Sequence, residues 1–366
     1  MRVLVVNAGS SSLKLSYLDG SDAVLASDEV EAPRGRFDEA ALAKVVNTLE
    51  VVEAVGHRVV HGGSRFSEST RITPRVVSYL RTQTDLAPLH LPVAIAGIEA
   101  VRKLLPRTPS VACFDTGFHS RIPAPAATYA IPASWRKGYG IRRYGFHGFS
   151  HAYAARRAAE LIGRPQARLR TVTCHLGAGA SLAAVWRGRS VDTTMGFTPL
   201  EGLVMATRAG SVDPGMVLWL QRHAGMTERK LTAALEHGSG LYALAGTADM
   251  RQVLRRASKG DEKAHLAFEV YVHRLCAGIA AMAAAMGGLD ALVFTGGVGE
   301  NAAAVRRAAA SKLRFLGIGI SSPKNRRASG DADISGTGAG VRTLVVKARE
   351  DVEVAREVRR VLSASA

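Results

Sequence analysis

At 366 residues the chain is too long for one ordinary core and suits two domains. Apolar residues make up 47%, which is enough to build packed cores and excludes a disordered chain. The net charge of +17 lies in short groups, such as Arg156 with Arg157, or Lys324 with Arg326 and Arg327. That diffuse pattern fits a basic surface around a site for anions better than a nucleic-acid or membrane partner.

Cys113, Cys174 and Cys276 show no CxxC pair and no metal spacing, so they read as reduced, buried thiols in a cytoplasmic protein. The first six residues, apolar but for Arg2, meet Asn7 and three serines at once, unlike a signal peptide. The uncharged run 275–289 falls short of the about 20 residues of a membrane span and reads as a buried helix.

In chain order, a buried strand is expected over 3–6, a small-residue loop over 7–12, and a second strand over 13–17, turning at Asp19 and Gly20. A helix follows over 37–49, a strand over 51–60, a helix over 92–105 and a buried strand over 110–114. The pattern then recurs. Residues 170–174 form a strand, 175–180 a glycine-rich loop and 181–186 a second strand. VVNAGSSSL, starting at Val5, aligns with TCHLGAGASL, starting at Thr173, if one residue is inserted, which suggests two related halves. Helices are expected over 151–162, 214–223, 227–237 and 262–286. A strand over 291–295 feeds a glycine turn over 296–301 and a helix to about 313. A loop region covers 323–340, a strand 341–347 and a closing helix 350–362. Strands alternate with helices, so the class is α/β.

Small residues in 7–14 let a backbone approach a phosphate, with Lys14 adding charge, although an ordinary hairpin turn reads the same way. No Gly-Lys-Ser/Thr ending is present, so this is not a Walker loop. The loops at 175–180 and 296–301 also follow strands. Three such turns together favour nucleotide binding. Arg58, between apolar residues, suits either a two-pronged anion clamp or a structural ion pair. His57 and His61 lie on a strand-like stretch and do not read as a metal pair. Asp115, at a strand's carboxyl end, reads either as a cleft acid or as a loop cap. His147 alone reads as a packing residue.

Nine segments taken in order resemble the acetokinase family: NAGSSSLK at Asn7, GHRVVHGG at Gly56, APLH at Ala87, FDTGFH at Phe114, YGFHG at Tyr144, HLGAGAS at His175, MGFTPLEGLVM at Met195, TADMR at Thr247 and GGVGEN at Gly296. They span nearly the whole chain. The resemblance implies two related domains of the actin-like ATPase, or ribonuclease H-like, type with a cleft between them: 1–117 plus 351–366, and 118–350. It implies phosphoryl transfer between ATP and acetate, with Mg²⁺ (or Mn²⁺), in a cytoplasmic homodimer without nucleic-acid or membrane partners. Asp115, His147 and Arg208 are then catalytic. Arg58 holds the carboxylate, Lys14 lies by the phosphates, and Val60, Leu89, Phe146 and Pro199 wall the methyl pocket. Ser10, Ser12 and Lys14 meet the nucleotide phosphates, together with His175, Leu176, Gly177, Ala178 and Gly179. Asp249, Met250 and Arg251, and Gly297, Val298, Gly299, Glu300 and Asn301, complete the nucleotide site. Asn7 and Glu350 place the metal.

The chain departs from the family pattern at several points. Ala178 stands where HLGNG has Asn, Ser211 where TRSGD has Asp, Leu91 where LHNP has Asn, and ARED at Ala348 where TNEE is usual. The chain is also shorter than most relatives, chiefly before Val51. These departures keep two alternatives in view: a propionate or butyrate kinase, and a nucleotide-binding paralogue with weak catalysis. Charge alone supports a nucleic-acid role, which ranks last.

Overall fold

The apolar runs fold into two six-stranded sheets in the computed structural model, which describes residues 1–9, 12–33, 36–87 and 90–364. Contacts divide the chain into two units: Met1–Ser120 with Phe146–Phe149 and Arg349–Ala366, and Arg121–Gly145 with Ser150–Ala348. Residues 118–120, 146–149 and 349–350, expected in the second domain, pack with the first unit.

The first sheet contains β1 (Val3–Ala8), β2 (Ser12–Leu18), β3 (Val24–Glu31), β4 (Ala54–Val59), β5 (Thr70–Arg71) and β6 (Ser110–Phe114), in the order β3-β2-β1-β4-β6-β5. β1, β4 and β6 run parallel, while β2, β3 and β5 join by antiparallel pairing. Parallel strands buried on both faces need continuous apolar runs, and β6 is buried throughout. On one face Leu4, Val6, Leu13 and Leu15 meet Val93, Ala94 and Val101 of helix Leu91–Leu104, and Leu42 and Val46 of helix Glu39–Asn47. The closing helix Glu350–Ser363 lies on the other face. Gly56 permits that approach: a Cβ there would come within 2.7 Å of Val358 and 2.8 Å of Val354.

The second sheet contains β7 (Arg170–Leu176), β8 (Ala180–Trp186), β9 (Arg189–Thr193), β10 (Ala291–Thr295), β11 (Ala332–Asp333) and β12 (Arg342–Val345). Read from its other edge the order is β9-β8-β7-β10-β12-β11, with the same alternation of antiparallel and parallel pairs as the first sheet. The short sequence match is thus a repeat of topology.

Several expectations change. Asn7 and Ala8 belong to β1 and Ser12 opens β2, so the first turn is shorter than 7–12. Likewise β7 runs through Leu176 and β8 starts at Ala180, because antiparallel pairing carries both strands into the glycine loop. Residues 296–301 are helical from Gly296 onward, not a loop. The region 323–340 contains helix Ser322–Arg327 and strand β11. β3, β9 and helix Pro74–Arg81 were not foreseen. The long helix expected over 262–286 is present as Glu262–Ala285; it takes in the uncharged run as far as Ala285 and is long and apolar enough to cross a membrane by length and composition. Its Leu275, Ile279 and Met282 are buried, and it packs on β7 and β8 as a core helix.

Candidate functional site

In the first unit the carboxyl ends of the three parallel strands converge. Register pairs Lys14 with Asn7 and Asn7 with Arg58, so β2, β1 and β4 carry these side chains in a row on one face. Arg58 donates through Nε to Asp115 Oδ1 at 3.0 Å and through a terminal N–H to the other carboxylate oxygen. A second terminal N–H donates to Asn7 Oδ1 at 2.9 Å. Asn7 Nδ2 in turn donates to Glu350 at 3.1 Å, and Glu350 lies 3.5 Å from Arg58 Nε. The sequence left Arg58 open between an anion clamp and a structural pair. The structure shows its fork engaged by Asp115, with oxygens of Asn7 and Glu350 as further acceptors beside it.

Burial pushes the Asp115 carboxyl up to about 6; Arg58 works against that rise and Glu350 adds to it. Burial also works against the Arg58 charge, but Asp115 and Glu350 outweigh it and raise the pKa further. The His147 backbone N–H donates to Asp115. His147 itself has φ +55°, a left-handed conformation uncommon for a residue with a side chain. The next residue explains how the turn is held. Gly148 N–H donates to the Asp115 carbonyl at 3.1 Å, and a Cβ at Gly148 would overlap that oxygen. Strain of this kind collects at functional sites.

Phe146 and Val60 are buried, as the methyl-pocket expectation requires of each. The His61 ring packs 5.7 Å from Phe146. His119 Nε2 is 3.1 Å from the Phe146 carbonyl. A carbonyl only accepts, so Nε2 carries the proton. Burial lowers the His119 pKa to about 4 and keeps the ring neutral. FDTGFH contains this histidine, yet nothing in the spacing distinguished it from a surface residue. His57 is fully buried, and burial lowers its pKa to about 3. No group of three or more His, Cys, Asp or Glu suited to a metal occurs among the described residues. Ser10 and Leu89 lie outside the described residues. Ser12 donates its hydroxyl to Glu29 on β3 and so is engaged, while Lys14 is exposed.

In the second unit, His175, next to last in β7, has Nδ1 2.7 Å from Ser150 Oγ, and the last residue, Leu176, is buried. The turn that follows is tight: Gly177 N–H donates to the Gly179 carbonyl at 2.9 Å. Ala178 offers its carbonyl to Ala206 N–H at 3.1 Å, so the loop is shaped by backbone where the family pattern has Asn. Asp249 caps helix Met250–Ala257, accepting from Arg251 N–H at 2.9 Å and pairing with its exposed guanidinium. That bond with Arg251 lowers the Asp249 pKa. Gly297 has open space where a Cβ would stand. Glu300 and Asn301, expected at the nucleotide, use their side chains on the turn itself. Glu300 Oε1 accepts from Gly296 N–H at 3.0 Å and Ala348 N–H at 2.9 Å, and Asn301 donates to the Gly297 carbonyl at 2.9 Å. Beneath them Arg306, fully buried, donates to the Gly299 and Glu300 carbonyls at 2.8 and 2.6 Å.

Arg208 is largely buried and donates to the Pro199 carbonyl at 2.9 Å. Burial lowers its pKa, with the more distant Glu236 opposing. Ser211, in place of the family Asp, accepts from Gly202 N–H at 3.2 Å instead of neutralising Arg208.

Two sheets of one strand order, with charged groups at the strand ends of one unit and glycine turns at those of the other, fit an α/β phosphotransferase. The Acetokinase family profile matches residues 26–356, and the chain belongs to that family as an enzyme of the acetate kinase class. It is 52% identical to the acetate kinase of Gloeobacter violaceus, over 86% of this chain and 78% of that protein. The crystal structure of Porphyromonas gingivalis acetate kinase superposes with a TM-score of 0.90 at 36% identity, covering 99% of each chain. A propionate kinase from Francisella tularensis superposes with a TM-score of 0.89 at 35% identity, covering 98% of this chain and 99% of that one.

Proposed function

We propose that the chain catalyses the reversible, Mg²⁺-dependent transfer of the γ-phosphoryl group of ATP to acetate, giving acetyl phosphate and ADP. The observation that carries this reading is the cluster of Arg58, Asp115, Asn7 and Glu350 at the carboxyl ends of β1, β4 and β6, where ligands of parallel sheets bind. An acetate oxygen is already nucleophilic, so no base need first remove a proton. The new P–O bond forms to that oxygen while the bond to the bridging oxygen of ADP breaks. Catalysis then consists of in-line placement and balancing charge on the equatorial oxygens. Arg58 binds the acetate carboxylate, with Val60, Phe146, Leu89 and Pro199 around the methyl group. Asp115 fixes Arg58. His147 and Arg208 steady the phosphoryl group, and the Arg208 guanidinium donates to the neutral Pro199 carbonyl. Lys14, Ser10 and Ser12, the 175–179 turn, Asp249 to Arg251 and the 297–301 turn take the nucleotide.

Asn7 and Glu350, joined by a 3.1 Å hydrogen bond from the Asn7 amide nitrogen, can supply an amide oxygen and a carboxylate. That donor set fits Mg²⁺, which takes oxygen ligands from one or two carboxylates plus substrate phosphates and water. Bound there, the ion would neutralise phosphate charge. The same reading makes the enzyme a cytoplasmic homodimer.

Propionate is the second reading, supported by the likeness to the Francisella propionate kinase. One methylene is worth about 1–3 kcal/mol, so the two acids compete closely. Trapping acyl phosphate as hydroxamate, with ATP, Mg²⁺ and each of acetate, propionate and butyrate, tests both. Acetate is expected to give the highest kcat/KM. A folded chain that binds ATP and yields no hydroxamate from any of the three would end the kinase reading.

A further inference from the structure

Between Gly196 and Gly202 the chain makes a turn that carries Pro199, whose carbonyl holds Arg208 at 2.9 Å. That carbonyl is neutral, and Glu236 opposes the effect of burial on the Arg208 charge without overcoming it. The turn is closed from outside by three side chains that the reaction does not use. The Tyr129 hydroxyl accepts from Phe197 N–H at 2.9 Å and donates to the Glu201 carboxylate, so one oxygen ties the two ends of 197–201 together. Arg143 donates to the other Glu201 oxygen at 2.8 Å and to the Thr194 and Met195 carbonyls at 3.1 Å each. Its guanidinium also lies 5.4 Å from the Tyr129 ring centre. Gly196 is required in this turn: a Cβ there would overlap both the Glu201 carboxylate and the Tyr129 hydroxyl. The far end is held by Ser211, whose N–H donates to the Gly202 carbonyl at 2.9 Å.

We propose that Tyr129, bridged by Glu201 and Arg143, is a positioning residue that sets Pro199 and, through its carbonyl, Arg208 for phosphoryl transfer. The inference rests on the carboxylate-kinase reading and adds to it a residue that touches no substrate. A hydroxyl that accepts at one end of a five-residue turn and donates at the other leaves its apex little freedom. Burial and the bond to Glu201 keep the phenol protonated, so the donating half of the bridge persists at neutral pH. Arg208 lacks the acid that the family pattern places near it, so its position depends on the Pro199 carbonyl.

Tyr129→Phe removes both bonds and keeps the ring. Two measurements on the full chain test the proposal. Amide exchange of Phe197 and of the 195–202 segment should quicken about tenfold or more, while the β7 strand stays protected. In steady-state kinetics kcat with acetate should fall about tenfold. The acetate-to-propionate ratio of kcat/KM should narrow about threefold, with KM for ATP unmoved. Glu201→Gln should shift the same quantities in the same direction by less. Exchange in 195–202 that matches the parent overturns the proposal whether or not the parent is an active kinase. So does a lowered melting temperature with parental kcat and acid preference, or an equal rise of KM for ATP and acetate. A parent that yields no acyl phosphate from any acid would count against the kinase reading instead, and the exchange result would still decide whether Tyr129 closes the turn.

Discussion

The two units share one strand order but use the ends of their equivalent strands in opposite ways. β1 and β7 correspond, as do β4 and β10. In the first unit these ends carry Asn7 and Arg58, and Asp115 follows β6, so fixed charges meet within hydrogen-bond distance. In the second unit β7 carries, next to its last residue, a histidine bonded to a serine, and β10 ends in Thr295 followed by a glycine-rich helical turn. Arg306 and Glu300 there bond backbone groups, not each other. On the proposed reading, the converging charges would take the small carboxylate and the glycine turns, which let a ligand approach the backbone, the polyphosphate.

Breaking the charged receptor should have the largest effect. Arg58→Ala removes the fork and strands two carboxylates, so kcat/KM for acetate should drop about a thousandfold. Arg58→Lys, which keeps the charge and loses the planar fork, should still cost about a hundredfold. Parental kinetics in Arg58→Lys would show that the guanidinium geometry is not used.

The next largest effect concerns pH. Asp115 titrates near about 6 because it is buried, above the about 3.9 of an unfolded aspartate. Protonation thus favours the folded state below about pH 4, and that stabilisation is lost as pH rises through about 6. Activity runs the other way: the ionised form fixes Arg58, so kcat/KM should fall as pH drops through about 6. Asp115→Asn should abolish this acidic limb and lower the alkaline plateau about a hundredfold. An unaltered limb in the variant would assign it to another group.

The smallest effect should come from the backbone receptor. Glu300→Ala frees the Gly296 and Ala348 N–H groups, so KM for ATP should rise about tenfold, with KM for acetate unchanged. A rise in both constants would mean that the turn supports the whole unit and not nucleotide binding alone.

The sequence showed some of this and hid the rest for physical reasons. β6 and β10 are buried throughout and apolar but for Ser110 and Thr295, and their limits were predicted to the residue. β3 was missed because it is an edge strand: of its residues only Val30 is buried, so no alternation marks it. Helix Pro74–Arg81 was missed although Thr73 caps it and Pro74 opens it, both ordinary start signals. The family resemblance assigned Glu300 to the nucleotide site, and local spacing does not reveal that its carboxylate reaches Ala348. Tyr129, Arg143 and Glu201 come from three separated stretches, and no short motif links them.

By itself the sequence determined the α/β class, the repeat and the residues capable of chemistry, because apolar periodicity and small-residue turns are local properties. It also determined the family, through the order of its motifs. Only the tertiary structure decided which charges meet. Arg58 and Asp115, or Asn7 and Glu350, are far apart in the chain and become neighbours through strand register and a returning helix. Register and packing depend on the whole sheet, and so does the burial that raises the pKa of Asp115.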